Sequence, residues 1–283
     1  MPSCKIIKPG LYTSLQDKGR VGMAYYAIPP SGVMDSRSAD LANSLVGNPN
    51  GHPVIECCLK GPSIQFQDNT TIAITGSQMD WKVDGKSITM NTAIEIKANS
   101  MLSSSFRTKY LYAFIAIRGE IETTYSYNSC SVYPPAKLGH QKGQIFQSGD
   151  ILKWDNTNSL AESLTKQRIF SSDILIAKGP EFHFLAEESM KILTSTNWAK
   201  SVDSNRMGAR LTGPKLTSKN ILKDSVPVLP GHIQLPPSGQ PIVVLQDGQT
   251  TGGYPRIGFI DSNSLDDFNQ VGLREVLKFS LTL

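Results

Sequence analysis

The sequence predicts a mainly β protein with a few short helices. Three observations carry that prediction. Short β-branched or alternating runs recur along the whole chain. Gly-, Pro- and Asp-rich turn signals separate them at close intervals. Helical spacing is confined to a few short stretches. Together these point to sandwich or barrel architecture.

The elements follow in order. Asp35 can cap a helix running to about Val46, with Gly47 to end it, and Ala39, Ala42 and Val46, with Leu41 and Leu45, form its buried side. Val54-Ile55-Glu56-Cys57-Cys58 reads as an apolar strand interrupted by one carboxylate. Thr70 to Ile74 is a β-branched strand that stops at Gly76. Asp80 to Val83 leads into Asp84-Gly85, a two-residue hairpin signal, and then Ser87-Ile88-Thr89. Ala93 to Lys97 alternates, and Tyr110 to Arg118 reads as a central strand covered on both faces. Ile145 to Trp154 holds a Ser148-Gly149-Asp150 turn into a strand, and Ile174–Ala177 and Ile242–Leu245 repeat the theme. A second helix is expected from Phe184 to Leu193 and a third after Ser264, where Asp267 completes a capping-box pattern with Leu265 and Phe268 facing inward.

Two domains are expected, 1–160 and 161–283, because Asp155 to Arg168 is the least apolar connecting stretch. Two short echoes link the halves in inverted order. Ile28-Pro29-Pro30-Ser31-Gly32 resembles Leu235-Pro236-Pro237-Ser238-Gly239, and Leu59-Lys60-Gly61-Pro62 resembles Leu211-Thr212-Gly213-Pro214.

Composition excludes several roles. Lys and Arg number 28 against 24 Asp and Glu, a net charge of +4, and the basic residues are scattered, so a nucleic-acid or membrane-surface role has little support. The longest apolar run, Leu111 to Ile117, is far short of the ~20 residues of a spanning helix. Met1 to Lys5 lacks the apolar stretch of a signal peptide, and cytoplasmic is the expected compartment. Cys4, Cys57, Cys58 and Cys130 contain no C-x-x-C. His52, His140, His183 and His232 form no close pair, so no metal site is expected.

Four polar segments stand out. Pro9 to Arg20 contributes Gln16 and Arg20, and Pro29 to Asp35 contributes Ser31, Met34 and Asp35. Ser204 to Gly208 contributes Asn205 and Arg206. The fourth runs from Gln234 and Pro237 to Gln249-Thr250-Thr251-Gly252-Gly253-Tyr254. Each is also explained by turn chemistry. The Thr-Thr-Gly-Gly stretch fits that least, since it offers hydroxyls and unhindered backbone N–H groups to an anion or carboxamide. It is no Walker A loop. Asp35, Glu56 and Asp247 are the carboxylates available for acid–base work. Asp35 is equally a helix cap, while Glu56 in an apolar strand must face solvent, a partner, or Arg20 or Arg206. Ser31 and Ser238 lack a Gly-x-Ser-x-Gly elbow, which disfavours a serine hydrolase.

In this order the four segments resemble the KipA / allophanate hydrolase subunit 2 family, also described as biotin-dependent carboxyltransferase-like, to which the C subunit of bacterial 5-oxoprolinase belongs. The resemblance runs from Lys8-Pro9-Gly10 to the last strand. It rests on Val21-Gly22 with Pro30-Ser31-Gly32-Val33-Met34-Asp35, on Ser204 to Gly208, and on Gln249 to Pro255. It implies two cyclophilin-like β-barrel domains. It implies a partner of the KipI type, similar to the B subunit of 5-oxoprolinase, and beside it a protein similar to the A subunit. It also implies ATP-dependent conversion of 5-oxoproline to glutamate, an amide hydrolysis in which the nucleotide is handled on a partner and no cofactor is bound covalently here. Asp35, Glu56 and Arg206 would be catalytic, and Gln16, Arg20, Ser31, Met34, Asn205, Gln234, Pro237 and Gln249 to Tyr254 would bind the small amide substrate. Two alternatives attach to the same resemblance: a regulatory binding protein for a KipI-like partner, and carboxyl transfer to a urea-like amide with carboxybiotin carried by another protein. Met190-Lys191-Ile192 is no biotin-acceptor sequence. The chain departs from the family pattern at Gly119-Glu120, where relatives carry Gly-Gly, at Asp247-Gly248, where many carry Asp-Arg, and over Ser126 to Gly143, which is shorter and matches poorly.

Overall fold

The computed structural model describes residues 1–155 and 169–282. The chain divides into two units: Met1–Arg20 with Ser31–Ile169, and Val21–Pro30 with Phe170–Leu283. The boundary expected at 160/161 lies outside the described residues. The protein is mainly β, with α1 at Ser36–Val46, α2 at Glu187–Ser195 and α3 at Ser262–Gln270 as the α-helices among the described residues.

The first unit holds two sheets. One orders β11 (Glu120–Ile121), β12 (Ile151–Asp155), β1 (Ser3–Lys8), β4 (Ser63–Phe66), β9 (Met101–Ser104), β6 (Trp81–Val83) and β7 (Lys86–Ser87). The other orders β2 (Tyr12–Gln16), β3 (Val54–Cys58), β10 (Lys109–Ile117), β5 (Thr70–Gln78) and β8 (Ala93–Ile96). Ile6, Ile64, Phe66, Trp81 and Trp154 from the first sheet meet Leu15, Ile55, Ile74 and Ile115 from the second in one buried core. The central strand is β10, paired antiparallel with β3 on one side and β5 on the other. At the expected hairpin Asp84 and Gly85 take φ of 50° and 78°, the left-handed pair that a tight turn between twisted strands requires.

The second unit contains a closed barrel in the order β13 (Asp173–Lys178), β20 (Arg256–Ile260), β17 (His232–Gln234), β18 (Ile242–Val244), β15 (Gly208–Thr212), β14 (Asn197–Lys200) and β21 (Val276–Leu281). A parallel β13–β21 pairing closes it. A two-stranded ribbon joins β16 (Val226–Pro227) to β19 (Thr251–Gly252). The buried Lys200 donates from Nζ to the carbonyls of Phe268, Asn269 and Val271, the C-terminal end of α3 where a cation is favoured.

Local details depart from the sequence reading for physical reasons. Asp35 caps α1 as expected, accepting from Ser38 N at 3.1 Å, and Gly47 closes it. The second helix starts only at Glu187, after a single tight turn at Phe182–Phe184. The third is capped by Asp261, which accepts from Asn263 N and Ser264 N, and not by Ser264. The Ser148-Gly149 turn leads into a strand at Ile151–Asp155, as expected. Tyr12–Gln16, read as part of a polar loop, is a strand within a sheet, because Leu15 enters the core while Ser14 and Gln16 face the other way.

The Leu-x-Gly-Pro echo has a common structural meaning. A Cβ on Gly61 would lie 2.3 Å from Trp81, and one on Gly213 would lie 2.6 Å from Trp198. In each unit a glycine before a proline makes room for a buried indole.

Candidate functional site

The second sheet of the first unit turns a polar row outward. Ser14 stands opposite Glu56 across β2–β3, Glu56 opposite Phe114, and Phe114 opposite Thr75. Strand period two puts Gln16 on the same face as Ser14 while Leu15 and Ile55 enter the core. Helix α1 lies on this face, with Thr75 Oγ1 donating to Ser38 O at 2.6 Å. Ser14, Gln16, Glu56 and Thr75 are all buried.

The segment entering α1 closes over the row. Met34 N donates to Glu56 Oε2 at 2.7 Å, and Val33 N donates to Asp17 O at 3.0 Å. Glu56 is 1% exposed, so of the surroundings expected for it solvent is excluded. Asp35 is fully buried and spends its carboxylate on Ser38, from which it accepts both the backbone N–H and the hydroxyl. Ser31 sits in the left-handed region at φ 54° and is buried. Gly32 follows at φ 89°, and a Cβ there would stand 3.0 Å from Gly19 N and 3.1 Å from Asp17 O. Only glycine allows the segment to lie this close to residues 17–19.

Asp17, absent from the sequence-derived candidates, organises this region. Its Oδ1 accepts from Gly19 N at 2.8 Å and from the hydroxyls of Ser129 and Ser131 at 2.6 Å each, and its Oδ2 accepts from Cys130 N at 2.8 Å. Arg20 turns its guanidinium to the carbonyls of Ser126, at 3.2 Å, and Ser131. The poorly matching stretch after Ser126 therefore supplies the wall against which Asp17 and Arg20 are held. Burial, reinforced by Asp17, pushes the Cys130 thiol well above its ordinary range, so it is not a reactive thiolate.

In the second unit Arg206 and Asp247 form a buried ion pair, with Nε to Oδ2 at 2.8 Å and Nη2 to Oδ1 at 3.3 Å. Asp247 is thus committed to a guanidinium. Gln249 Nε2 donates to Gln234 Oε1 at 3.0 Å. A Cβ on Gly252 would lie 2.6 Å from Gln234 Nε2, so this glycine lets the turn close onto the amide. Thr250 is buried and its carbonyl accepts from Val228 N, whereas Gln249, Thr251, Gly253 and Tyr254 are exposed. Asn205 is exposed and closes its own turn by accepting from Met207 N, and Pro237 is exposed. Glu181 and Arg256, which sequence reasoning missed, form a two-pronged pair at 2.8 and 2.9 Å, and Arg256 also donates to Pro227 O in β16. The Arg256 guanidinium holds the Glu181 carboxyl below its usual range. No local motif announces this pair, because 75 residues separate its members.

The structure thus gathers Gln16, Arg20, Ser31, Met34, Asp35 and Glu56 within the first unit. In the second it gathers Arg206 with Asp247, and Gln234 with Gln249 to Gly252. Among the described residues no group of three or more His, Cys, Asp or Glu side chains could hold a metal ion. No helix among them is long and apolar enough to cross a membrane. Lys191 lies within α2. At the departures from the family pattern, Glu120 stands 3.5 Å from His52 Nε2, and a Cβ on Gly248 would approach Val244 to 2.4 Å.

A family model described as carboxyltransferase domain, subdomain A and B, matches residues 26–281. The chain is 31% identical to the C subunit of 5-oxoprolinase from Escherichia coli over 280 residues, covering 97% of this chain and 90% of that one. It is 35% identical to urea amidolyase of Saccharomyces cerevisiae over 226 residues, 75% of this chain but 12% of the relative. Among solved structures, urea amidolyase of K. lactis superposes with a TM-score of 0.91 at 26% identity, over 99% of this chain and 19% of that chain. The chain therefore spans nearly all of the bacterial 5-oxoprolinase relative and a small part of the two large amidolyases.

Proposed function

We propose the following role for the chain, which belongs to the carboxyltransferase domain family of subdomains A and B: within an ATP-dependent 5-oxoprolinase complex, it is the component that does not bind the nucleotide. The observation that carries this reading is the 31% identity to the 5-oxoprolinase C subunit, sustained over 97% of this chain and 90% of the relative. Its partners in this reading are proteins of the types that form the B and A subunits of 5-oxoprolinase, the former KipI-like, and the compartment is the cytoplasm.

A lactam amide is stabilised by resonance, and its opening at neutral pH needs activation. Transfer of the ATP γ-phosphoryl group to the lactam oxygen supplies it. Water then adds to the activated carbon, the ring C–N bond breaks with the nitrogen leaving as the free amine, and a second water hydrolyses the resulting acyl phosphate, releasing phosphate and leaving glutamate. In this scheme Glu56, a carboxylate held by Met34 N inside the first unit, positions the water and takes its proton. Asp35 keeps the entrance to α1 in place through Ser38. In the second unit Arg206, oriented by Asp247, is a guanidinium suited to negative charge, and the backbone of Thr251 to Gly253 is suited to a carboxylate.

The experiment is copurification with the products of neighbouring genes, followed by ATP hydrolysis assayed with and without 5-oxoproline. The reading requires hydrolysis that depends on 5-oxoproline and on this chain, and loss of glutamate formation in Arg206→Ala, Thr250→Ala or Thr251→Ala. The similarity to urea amidolyase favours a second reading, carboxyl transfer to a urea-like amide. That reading requires a biotinylated protein in the same pull-down.

A further inference from the structure

Gln16 and Ser31 each carry a buried polar atom without a hydrogen-bond partner among the described residues. The Gln16 amide nitrogen donates to Ser14 Oγ at 2.9 Å and to Val132 O at 3.3 Å. A backbone carbonyl only accepts, so this contact fixes which end of the amide is nitrogen. Oε1 is left as an acceptor in a side chain with no exposure. Ser31 Oγ is the second such atom, on a residue that is 2% exposed and held at φ 54°. Left-handed backbone outside glycine is sparsely populated and persists where the surroundings impose it, which is common at ligand sites.

One framework holds both. Gly32, next to Ser31, lies against Gly19 and Asp17, and Asp17 follows Gln16. Val33 N bonds Asp17 O, and Met34 N bonds Glu56, which stands opposite Ser14, the residue that orients Gln16. The chemistries are complementary. An amide oxygen calls for an N–H, and a serine hydroxyl can donate to a C=O. A five-membered lactam presents N–H and C=O on one edge, because its ring locks the amide cis.

We propose that Gln16 Oε1 and Ser31 Oγ read the amide edge of the substrate, the first accepting from the ring N–H and the second donating to the ring carbonyl. This rests on the 5-oxoprolinase reading and narrows its substrate class to amides that keep an N–H. A buried acceptor facing a ring oxygen instead of N–H loses about 5- to 150-fold in affinity.

The test compares 5-oxoproline with its ring-oxygen analogue, the γ-lactone acid, as a competitor of 5-oxoproline-dependent ATP hydrolysis by the reconstituted complex. The wild-type complex should bind the lactone at least about 10-fold more weakly than the lactam. Gln16→Met, which keeps side-chain length but removes the acceptor, should raise KM for 5-oxoproline about 10-fold and bring the two ligands within threefold. Ser31→Gly relieves the backbone and removes the hydroxyl. It should lower kcat/KM as much as Ser31→Ala does, whereas a merely structural serine would leave Ser31→Gly at wild-type activity. Turnover of 5-oxoproline without discrimination against the lactone overturns this inference and leaves the 5-oxoprolinase reading standing. Absence of any 5-oxoproline-dependent hydrolysis removes both. Should Gln16→Met fail to fold, the wild-type comparison of lactam with lactone still decides.

Discussion

Replacing Asp17 by Asn changes one atom and should cost far more than a surface substitution. Four donors converge on the native carboxylate, three of them on Oδ1. Asn must therefore keep its oxygen at Oδ1 and turn its NH2 toward Cys130 N, donor against donor. One charge-assisted bond is lost outright, about 2 kcal/mol, and the other three fall from charged to neutral strength, about 1 kcal/mol each. The expected loss is about 3–5 kcal/mol, a drop in Tm of roughly 10 °C for a unit of this size. The assay is urea and thermal unfolding followed by far-UV circular dichroism. Ser129→Ala provides the control: it should cost about 2 kcal/mol alone and much less once Asp17 is already Asn, because the two share the bond being tested. A loss below about 1 kcal/mol in Asp17→Asn, or full additivity with Ser129→Ala, would refute the view that this carboxylate is the hub of the region.

Other expectations follow from single observations. Gly61→Ala and Gly213→Ala should each destabilise by about 2 kcal/mol through overpacking against Trp81 and Trp198, seen as lower urea midpoints in unfolding monitored by indole fluorescence. Arg206→Ala leaves Asp247 buried without its guanidinium and should cost about 3–5 kcal/mol; Arg206→Met combined with Asp247→Leu should recover most of that stability but no 5-oxoproline-dependent hydrolysis. His140 is buried, its Nδ1 bonded to Thr123, and burial, only partly opposed by Asp150, pulls its pKa from 6.5 down to about 4. The unfolded chain therefore binds the extra proton first, so stability is full above pH 6.5 and falls as the pH drops toward 4. The loss between pH 7 and 4.5 should be about 2.5 kcal/mol in urea midpoints, and His140→Phe should flatten that slope.

The fold was legible where one strand or turn carries its own signal. The β-branched run at Thr70, the Asp84-Gly85 turn and the Asp35–Gly47 helix all reappear, since local propensity and packing agree there. Strand β2 was hidden because its alternation, Tyr12-Thr13-Ser14-Leu15-Gln16, carries polar residues on a buried outer face, and a buried polar face looks like a loop in one dimension. The same blindness affected the candidate site. Ser31, Met34 and Asp35 were singled out because their segment is unusual in sequence, and Glu56 because it is a carboxylate in an apolar strand. Asp17, Ser129 and Ser131 were missed because each is an ordinary polar residue whose meaning arises from bonds across 112 to 114 residues. Glu181 and Arg256 were missed for the same reason.

The two departures from the family pattern differ in physical character. Glu120 is largely exposed and faces His52, so Glu120→Gly removes little beyond a surface contact. Gly248 has no such freedom. A side chain there would meet Val244 at 2.4 Å, Met207 O at 2.7 Å and Leu245 O at 2.9 Å. Those contacts belong to a loop drawn tight by Leu245 N to Met207 O and Asp247 N to Arg206 O. The loop and the ion pair are therefore one arrangement: backbone bonds bring Arg206 against Asp247, and the space this takes is the space a residue-248 side chain needs. Gly248→Arg should accordingly loosen the Arg206–Asp247 pair, lowering stability by about 2 kcal/mol and raising rather than restoring KM for 5-oxoproline. A Gly248→Arg protein as stable as wild type, with unchanged or better turnover, would show that the loop can open without losing its guanidinium, and that turnover does not depend on the tight Arg206–Asp247 arrangement.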